Sequence, residues 1–394
     1  MLTFSFYEGD TRVMRYAEAL AERGDEVDVI ALRQDTQTCT GDVAGVNVFR
    51  IQERKVNTGG KLAYAVRVLL FFFHAMFLIS RRHLKRPYQL VHVHSVPDFL
   101  VFACWLPKLT GAKVILDIHD LLPEFYASKY HVESSSSVFR FLIGVERASG
   151  AFADHVIAAN DLWHQRLQTR SVPSEKCSTL VNLPDRKLFA RQGRTRSDKR
   201  FIILYPGTLN WHQGVDIAIR AFDLIKGELP AAEFHIYGEG RCQESLMHLI
   251  LQLALQQRVF MHGFVATREI ARVMENADLA VVPKRKDGFG DEAFSTKIME
   301  FMALGVPVIV SDTRVDRYYF NEDIVRFFEG DEQDLARQIL ELAKDPEESR
   351  QLAARALSFV EHNDWGAKKS EYLQMADRLV HGSPKKLRVE PQRC

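Results

Sequence analysis

Cysteine is scarce in this sequence and never paired. Cys39, Cys104, Cys177, Cys242 and Cys394 are odd in number and far apart, and no C-x-x-C occurs. That argues against a disulfide framework and leaves no zinc or dithiol motif, so reduced thiols in a cytoplasm are expected. An excess of charge is missing too: 52 Lys and Arg face 51 Asp and Glu, a net +1. Nothing therefore pulls the chain as a whole toward nucleic acid. Met1 to Tyr7 has no basic region ahead of a long apolar stretch, so a secretory leader is not expected and the segment reads as a first strand. Long apolar runs are lacking as well. Val68 to Ile79, broken by His74, reaches about 18 Å as a helix. The hydrocarbon of a bilayer is about 30 Å thick, so this run is not expected to span it. Acid, finally, is absent from Arg54 through Pro97, where Lys and Arg occur eight times. Residues 61–86 then read either as a core helix with solvated ends or as a helix resting on anionic lipid. In the second case Arg67, Arg81, Arg82, Lys85 and Arg86 would lie at headgroup level.

What is present describes a globular α/β protein. At 394 residues the chain exceeds the size of one hydrophobic core, and 46% hydrophobic with 26% charged residues is ordinary for a folded chain. Strand-length apolar runs alternate with helical patterns: Met1 to Phe6, helix Thr11 to Arg23, Glu26 to Leu32, Leu90 to Val93, Lys113 to Ile118 and His155 to Ala158. Such alternation predicts a doubly wound parallel sheet. The rhythm restarts at Phe201 to Tyr205, after a polar stretch Arg191 to Arg200, and continues through Ala232 to Tyr237, Arg258 to His262, Leu279 to Val282 and Val306 to Val310. Two Rossmann-like domains are expected, 1–185 and 186–365. A late helix, Ala367 to Leu379, returns to the first, and a basic tail with Lys385, Lys386, Arg388 and Arg393 reads as disordered.

The stretch from Asp291 to Val310 carries the most chemistry. Ser295 or Thr296 suits a helix N-cap and Gly305 before Val306-Pro307 suits its stop, which predicts a helix over Thr296 to Leu304. Its open amides, near Phe294 to Lys297, would bind a pyrophosphate together with the charge of Lys297. Glu292 in the preceding loop and Glu300 one turn inside the helix could then reach hydroxyls on either side of it, one holding a hexose and the other a ribose. Glu300 is the only charged side chain between Ile298 and Val310, and a carboxylate in such company needs a partner.

Glu-x7-Glu with this trailing helix and strand resembles the carboxy-terminal signature of family 4 glycosyltransferases. Three further passages agree. Tyr205-Pro206-Gly207-Thr208-Leu209 running to Gln213-Gly214 is similar to the family's first glycine turn, His235 to Gly240 (with Gly238) to its second, and Arg258 to Val265 to the strand against which the base lies. The resemblance implies a GT-B fold and retaining transfer of a hexose or similar sugar from a nucleoside-diphosphate donor. It implies Gly207, Thr208, Gln213, Gly238, Phe294, Ser295, Thr296 and Glu300 as donor-binding residues, with His119, Glu292 and Lys297 as catalytic. The sequence departs from the family in having Thr208 and Gln213 where an Arg and a Lys are usual. Lys297 is the favoured substitute, with Lys284, Arg285 and Lys286 as alternatives.

In the amino-terminal half His119-Asp120 follows the strand Val114 to Ile118, at the carboxyl end where parallel sheets bind ligands. His119 resembles the family histidine that points into the cleft beside the donor sugar. His94 and Asp120 hold comparable strand-end positions, and Gly9, Asp10 and Arg12 follow the first strand, so these are expected to line the acceptor side. No cofactor and no metal are expected; Asp117 and Asp120 match a metal-binding DxD-like pair in residue type, but not in setting. The implied partners are a nucleotide sugar and a saccharide or lipid-linked acceptor, at the inner face of a membrane. A sugar-nucleotide epimerase of the same architecture, or a binding subunit that has lost catalysis, are the alternatives.

Overall fold

The computed structural model describes residues 1–382 except 35–36, 54–60 and 131, with the backbone alone at 61, 267 and 268. The basic tail and Arg54 and Lys55 lie outside the described residues.

The first sheet holds β1 Leu2–Phe6, β2 Val27–Arg33, β3 Thr40–Val43, β4 Val46–Glu53, β5 Leu90–His94, β6 Lys113–Ile118, β7 His155–Ala158 and β8 Cys177–Thr179, in the order β3-β4-β2-β1-β5-β6-β7-β8. Its strands are parallel except β3, which pairs antiparallel with β4. The second sheet is wholly parallel: β9 Phe201–Pro206, β10 Ala232–Tyr237, β11 Val259–Met261, β12 Leu279–Val282, β13 Val308–Ser311 and β14 Arg326–Phe328, in the order β11-β10-β9-β12-β13-β14. Helices cover both faces of each sheet, so the central strands are buried on both sides and read as uninterrupted apolar runs. Strand order reverses between β1 and β5 and again between β9 and β12. Those two crevices, at the carboxyl ends of the strands, are where doubly wound sheets take ligands.

Local signals explain how the elements start and stop. The helix Thr11–Arg23 begins where Asp10 accepts a hydrogen bond from the Val13 amide (3.2 Å) and ends at Gly24, φ 99°. The polar stretch before β9 is anchored rather than loose: the amides of Gln192 and Gly193 each donate to Glu275 at 2.6 Å. The late helix, Trp365–His381, packs on the first sheet's layer. There Tyr372 stacks on Tyr16 with ring centroids 4.3 Å apart, and its hydroxyl lies 3.1 Å from His92 Nδ1.

The acid-free segment forms a longer helix than its apolar run predicts, Lys61–Lys85, because Tyr64, Arg67 and Ser80 to Lys85 continue the turn on either side. At 25 residues it is about 37 Å long, and Leu62–Lys85 is long and apolar enough to cross a membrane by length and composition. The length-based exclusion therefore fails. What holds the helix against the sheet is packing: Val68, Phe71, Ala75 and Ile79 are buried in the core of the first domain.

Candidate active site

On the second domain the two glycine turns are pressed backbone to backbone. Gly238 (φ 132°) leaves no room for a Cβ, which would stand 1.9 Å from the Gly207 carbonyl oxygen. The amide of Gly207 donates to Tyr237 O at 2.8 Å. Beneath Gly207 (φ 143°) lies Lys297, whose Nζ would be 2.7 Å from a Cβ there. Its ammonium contacts Gln213 Oε1 at 3.1 Å and the Tyr205 hydroxyl at 3.4 Å, and sits 4.8 Å from the centre of the Tyr205 ring. Burial, and Lys284 nearby, push its pKa down to about 8 against the pull of Glu300. Lys297 thus enters the turn whose positions 208 and 213 lack the usual cations. The other substitutes are committed elsewhere: Lys284 is buried on Asp316 (3.0 Å), Arg285 pairs with Asp216 (2.7 Å) and Lys286 with Asp312 (3.3 Å).

The helix Thr296–Ala303 opens toward this turn with Ser295 at its N-cap. The Ser295 side chain makes no capping hydrogen bond, so it competes with no ligand for the first amides. Glu300 is half-buried; burial raises its pKa, while Lys297, a hydrogen bond from Thr296, and Arg15 oppose the rise. Thr208 is exposed, with its carbonyl taken by the Tyr205 hydroxyl at 3.0 Å. Phe294 packs edge-on against Tyr319, centroids 4.9 Å apart, and so fixes the loop more than it offers a surface.

Glu292 is less open than its loop position predicts. It is 4% exposed, and its Oε1 accepts from Arg166 (2.6 Å) of the helix Asp161–Arg170 in the first domain and from Arg314 (2.7 Å). Its Oε2 is buried without a partner among the described residues. One oxygen therefore ties the domains together and the other is an unmet acceptor. Around it Asn160 Nδ2 donates to Glu292 O (3.0 Å), and the Tyr319 hydroxyl to Asp161 (2.7 Å). Phe289 is 5% exposed, lies edge-on to Phe125 and His212, and packs against Trp163. None of these cross-cleft links has a signature in the sequence.

On the first domain Asp117 is the hub. Arg12 donates to both of its oxygens (Nε 2.8 Å, Nη2 2.7 Å) and through Nη1 to Leu180 O (2.8 Å). His94 Nδ1 and His119 Nε2 lie 3.1 and 3.0 Å from Asp117 Oδ2. Burial alone would raise the Asp117 pKa, but Arg12 and His119 hold it well below the carboxylate range. Burial lowers His94 to about 4. Burial would lower His119 as well, but the Asp117 charge and hydrogen bond outweigh it and raise the value. His119, 20% exposed, is the member that reaches the surface.

Several residues expected along the acceptor side take other work. Arg12 and His94 are buried under the cleft, Arg12 with every guanidinium nitrogen engaged, because a buried carboxylate needs a cation. Asp10 caps a helix and accepts from Ser5 Oγ (2.8 Å). Gly9 is exposed and has no positive φ, and a Cβ there would have only the Phe6 Cβ within 4 Å, so the turn does not require glycine. Asp120 is half-buried, its pKa raised by burial and restrained by His119. His92, His94 and Asp117 also bring metal-ligand atoms within 4.8 Å of one another, but the Arg12 guanidinium already supplies the cation there.

Residues 9–182 match the family described as Glycosyl transferase 4-like domain, and residues 187–359 the family described as Glycosyl transferases group 1. The two matches take in all of the second sheet and all of the first except β1. The chain belongs to the group 1, family 4-like glycosyltransferases. Among relatives of this family it is similar to the putative colanic acid biosynthesis glycosyltransferase WcaL of Escherichia coli K12, 29% identical over 157 residues. That alignment covers 40% of this chain and 39% of WcaL, less than half of the relative's length. Sucrose-phosphate synthase of Thermosynechococcus elongatus shares the fold with a TM-score of 0.79 at 18% identity, over 97% of this chain and 99% of that one. Anabaena Alr3699/HepE, solved with UDP-glucose, gives 0.71 at 16% identity over 96% and 99%. The fold is GT-B, as the family resemblance implies, with the two Rossmann-like domains that the restarted βα rhythm predicts.

Proposed function

We propose that this glycosyltransferase moves a hexose or similar sugar from a nucleoside-diphosphate donor to a hydroxyl of a saccharide or lipid-linked acceptor, with retention, at the cytoplasmic face of a membrane during surface-polysaccharide assembly. The observation that carries the reading is Lys297. A half-buried ammonium whose contacts are an amide oxygen, a phenol and a glycine turn, beside an open helix terminus, is arranged to receive a diphosphate. The HepE structure was solved with UDP-glucose, and WcaL is named for colanic acid biosynthesis; both agree with this class of substrates.

In this reading the bond between the sugar's anomeric carbon and the donor phosphate oxygen breaks while the acceptor oxygen bonds that carbon from the same face. The acceptor proton passes to the leaving diphosphate oxygen, so no protein nucleophile is needed. Lys297 and the helix amides stabilise the charge growing on the diphosphate. His119, oriented by Asp117, touches the reacting sugar, and the free Oε2 of Glu292 accepts from a sugar hydroxyl. Glu300 holds the ribose, and the closed cleft limits hydrolysis. An epimerase would need no acceptor, and a degraded binding subunit would bind the donor without turning it over. Incubation with labelled nucleoside-diphosphate sugars and a membrane extract separates these: label transferred to acceptor supports the proposal, whereas isomerised donor or binding without turnover overturns it.

A further inference from the structure

The helix Lys61–Lys85 is apolar on two opposite sides. One stripe packs on the sheet; the other, Leu62, Val66, Leu70, Phe73, Phe77 and Leu84, is 47–80% exposed and follows the outer face in steps of three or four residues to Phe77 and of seven to Leu84. The same outer layer continues sideways. Trp105 and Leu109 on the adjoining helix Trp105–Leu109 are 44% and 75% exposed, and Val138 and Phe141 on the helix Ser137–Phe152 are 42% and 68% exposed. All three helices cover one face of the first sheet. Exposed apolar surface on this scale marks an interaction site.

We propose that this three-helix face docks flat on an anionic lipid bilayer. Arg81 and Lys85 are exposed at the end of the stripe, and residues 54–97 hold no acid to repel phosphate headgroups. A second copy of the chain fits less well, because the same helix of the copy would offer these cations no acid to pair with. Crossing the bilayer would strip Phe71 and Ala75 from the core, so the helix lies along the membrane. Its first turns follow the carboxyl end of β4, the cleft side, where Phe4 of β1 meets Tyr64 with centroids 6.3 Å apart. If the acceptor is lipid-linked, as proposed above, docking brings the cleft mouth to the lipid; the docking itself does not depend on that reading.

The test sediments the whole chain with phosphatidylcholine vesicles and with vesicles that also contain phosphatidylglycerol, without any sugar donor. Wild type should partition at least about tenfold more to the anionic vesicles. Phe73→Ser/Phe77→Ser and, separately, Arg81→Glu/Lys85→Glu should each weaken this by about tenfold or more with unchanged melting temperature. Brominated lipid should quench Trp105, read as the difference from Trp105→Phe. Equal sedimentation with both vesicle types, or unchanged binding by both double variants, overturns the proposal. So does a solution dimer that Phe73→Ser/Phe77→Ser dissociates, which would give the face to a second copy. Since no transfer is measured, a failure here leaves the transferase reading standing, and a failure of transfer leaves docking standing.

Discussion

The ammonium of Lys297 lies 3.1 Å from the side-chain oxygen of Gln213, 84 residues earlier in the chain. A residue from the start of the helix Thr296–Ala303 therefore fills the space that a lysine at 213 would claim. In the proposed function the cation is kept while its place in the sequence moves.

Because the two side chains share one space, their charges should be exchangeable. Lys297→Ala should impair donor binding and turnover together, since helix amides alone supply about half a charge. Gln213→Lys in that background should restore a good part of both. In wild type the same change sets two ammoniums side by side and should raise the donor KM. Steady-state kinetics of the three variants decide it; no rescue, with each single change tolerated, would remove the charge-compensation account and favour a degraded enzyme.

Donor affinity should also fall with rising pH. Burial brings Lys297 down to about 8, so the free protein loses this charge as pH rises through that value, well before an exposed lysine would. The diphosphate favours the protonated form, so KM should climb above pH 8 with a smaller change in kcat. Lys297→Arg should flatten that limb, arginine staying charged throughout. A KM that does not vary from pH 7 to about 9.5 would contradict the placement of Lys297 on the phosphates.

The two glutamates should separate kinetically. Glu300→Gln should mainly raise KM, a ribose contact being equal in ground and transition states, and Glu292→Gln should mainly lower kcat. Glu292 also bridges the domains, so its variant should lower the melting temperature as well. Arg166→Ala removes the bridge from the other side and should reproduce the thermal loss with a smaller kinetic one, since it leaves Oε2 in place. Equal kinetic losses in Arg166→Ala and Glu292→Gln would reduce Glu292 to an interdomain tie.

Much of the fold was legible because strands of a parallel sheet are buried on both faces: Lys113–Ile118, His155–Ala158 and Leu279–Val282 stand as read. The hairpin β3–β4 was not, since β3 reads Thr-Gly-Asp-Val on an exposed edge and its turn is signalled chiefly by Gly45, φ 80°. In the site, the helix terminus and Lys297 could be seen because their roles are local in sequence. Asp117 could not be recognised as the hub: its partner Arg12 is 105 residues away, and Arg166 meets Glu292 across 126. Pairings of that separation leave no periodic trace. Arg12 beside a helix start and Asp117 inside an apolar strand were the available hints, each ambiguous alone.

Asp117 and His119 should separate, one by stability and the other by transfer. Asp117→Asn leaves the Arg12 guanidinium buried without a counter-charge, a change that costs about 3–5 kcal/mol and should show as a large fall in denaturant midpoint. His119→Ala leaves the Arg12–Asp117 pair intact and should fold normally, yet lose transfer by roughly a hundredfold, the scale of removing a positioned polar group at the reacting centre. The pH dependence distinguishes a charged from a neutral ring. The His119 pKa is raised in the folded state, so its stabilising contribution is complete below the ordinary histidine value and is lost as pH rises through the raised one. The stability gap between wild type and His119→Ala should accordingly be widest at acid pH, near 5 to 6 as a rough guide, and narrow toward pH 8. A gap that stays constant across that range would mean that the ring is neutral throughout, and an active, fully stable His119→Ala would move His119 out of the reacting centre.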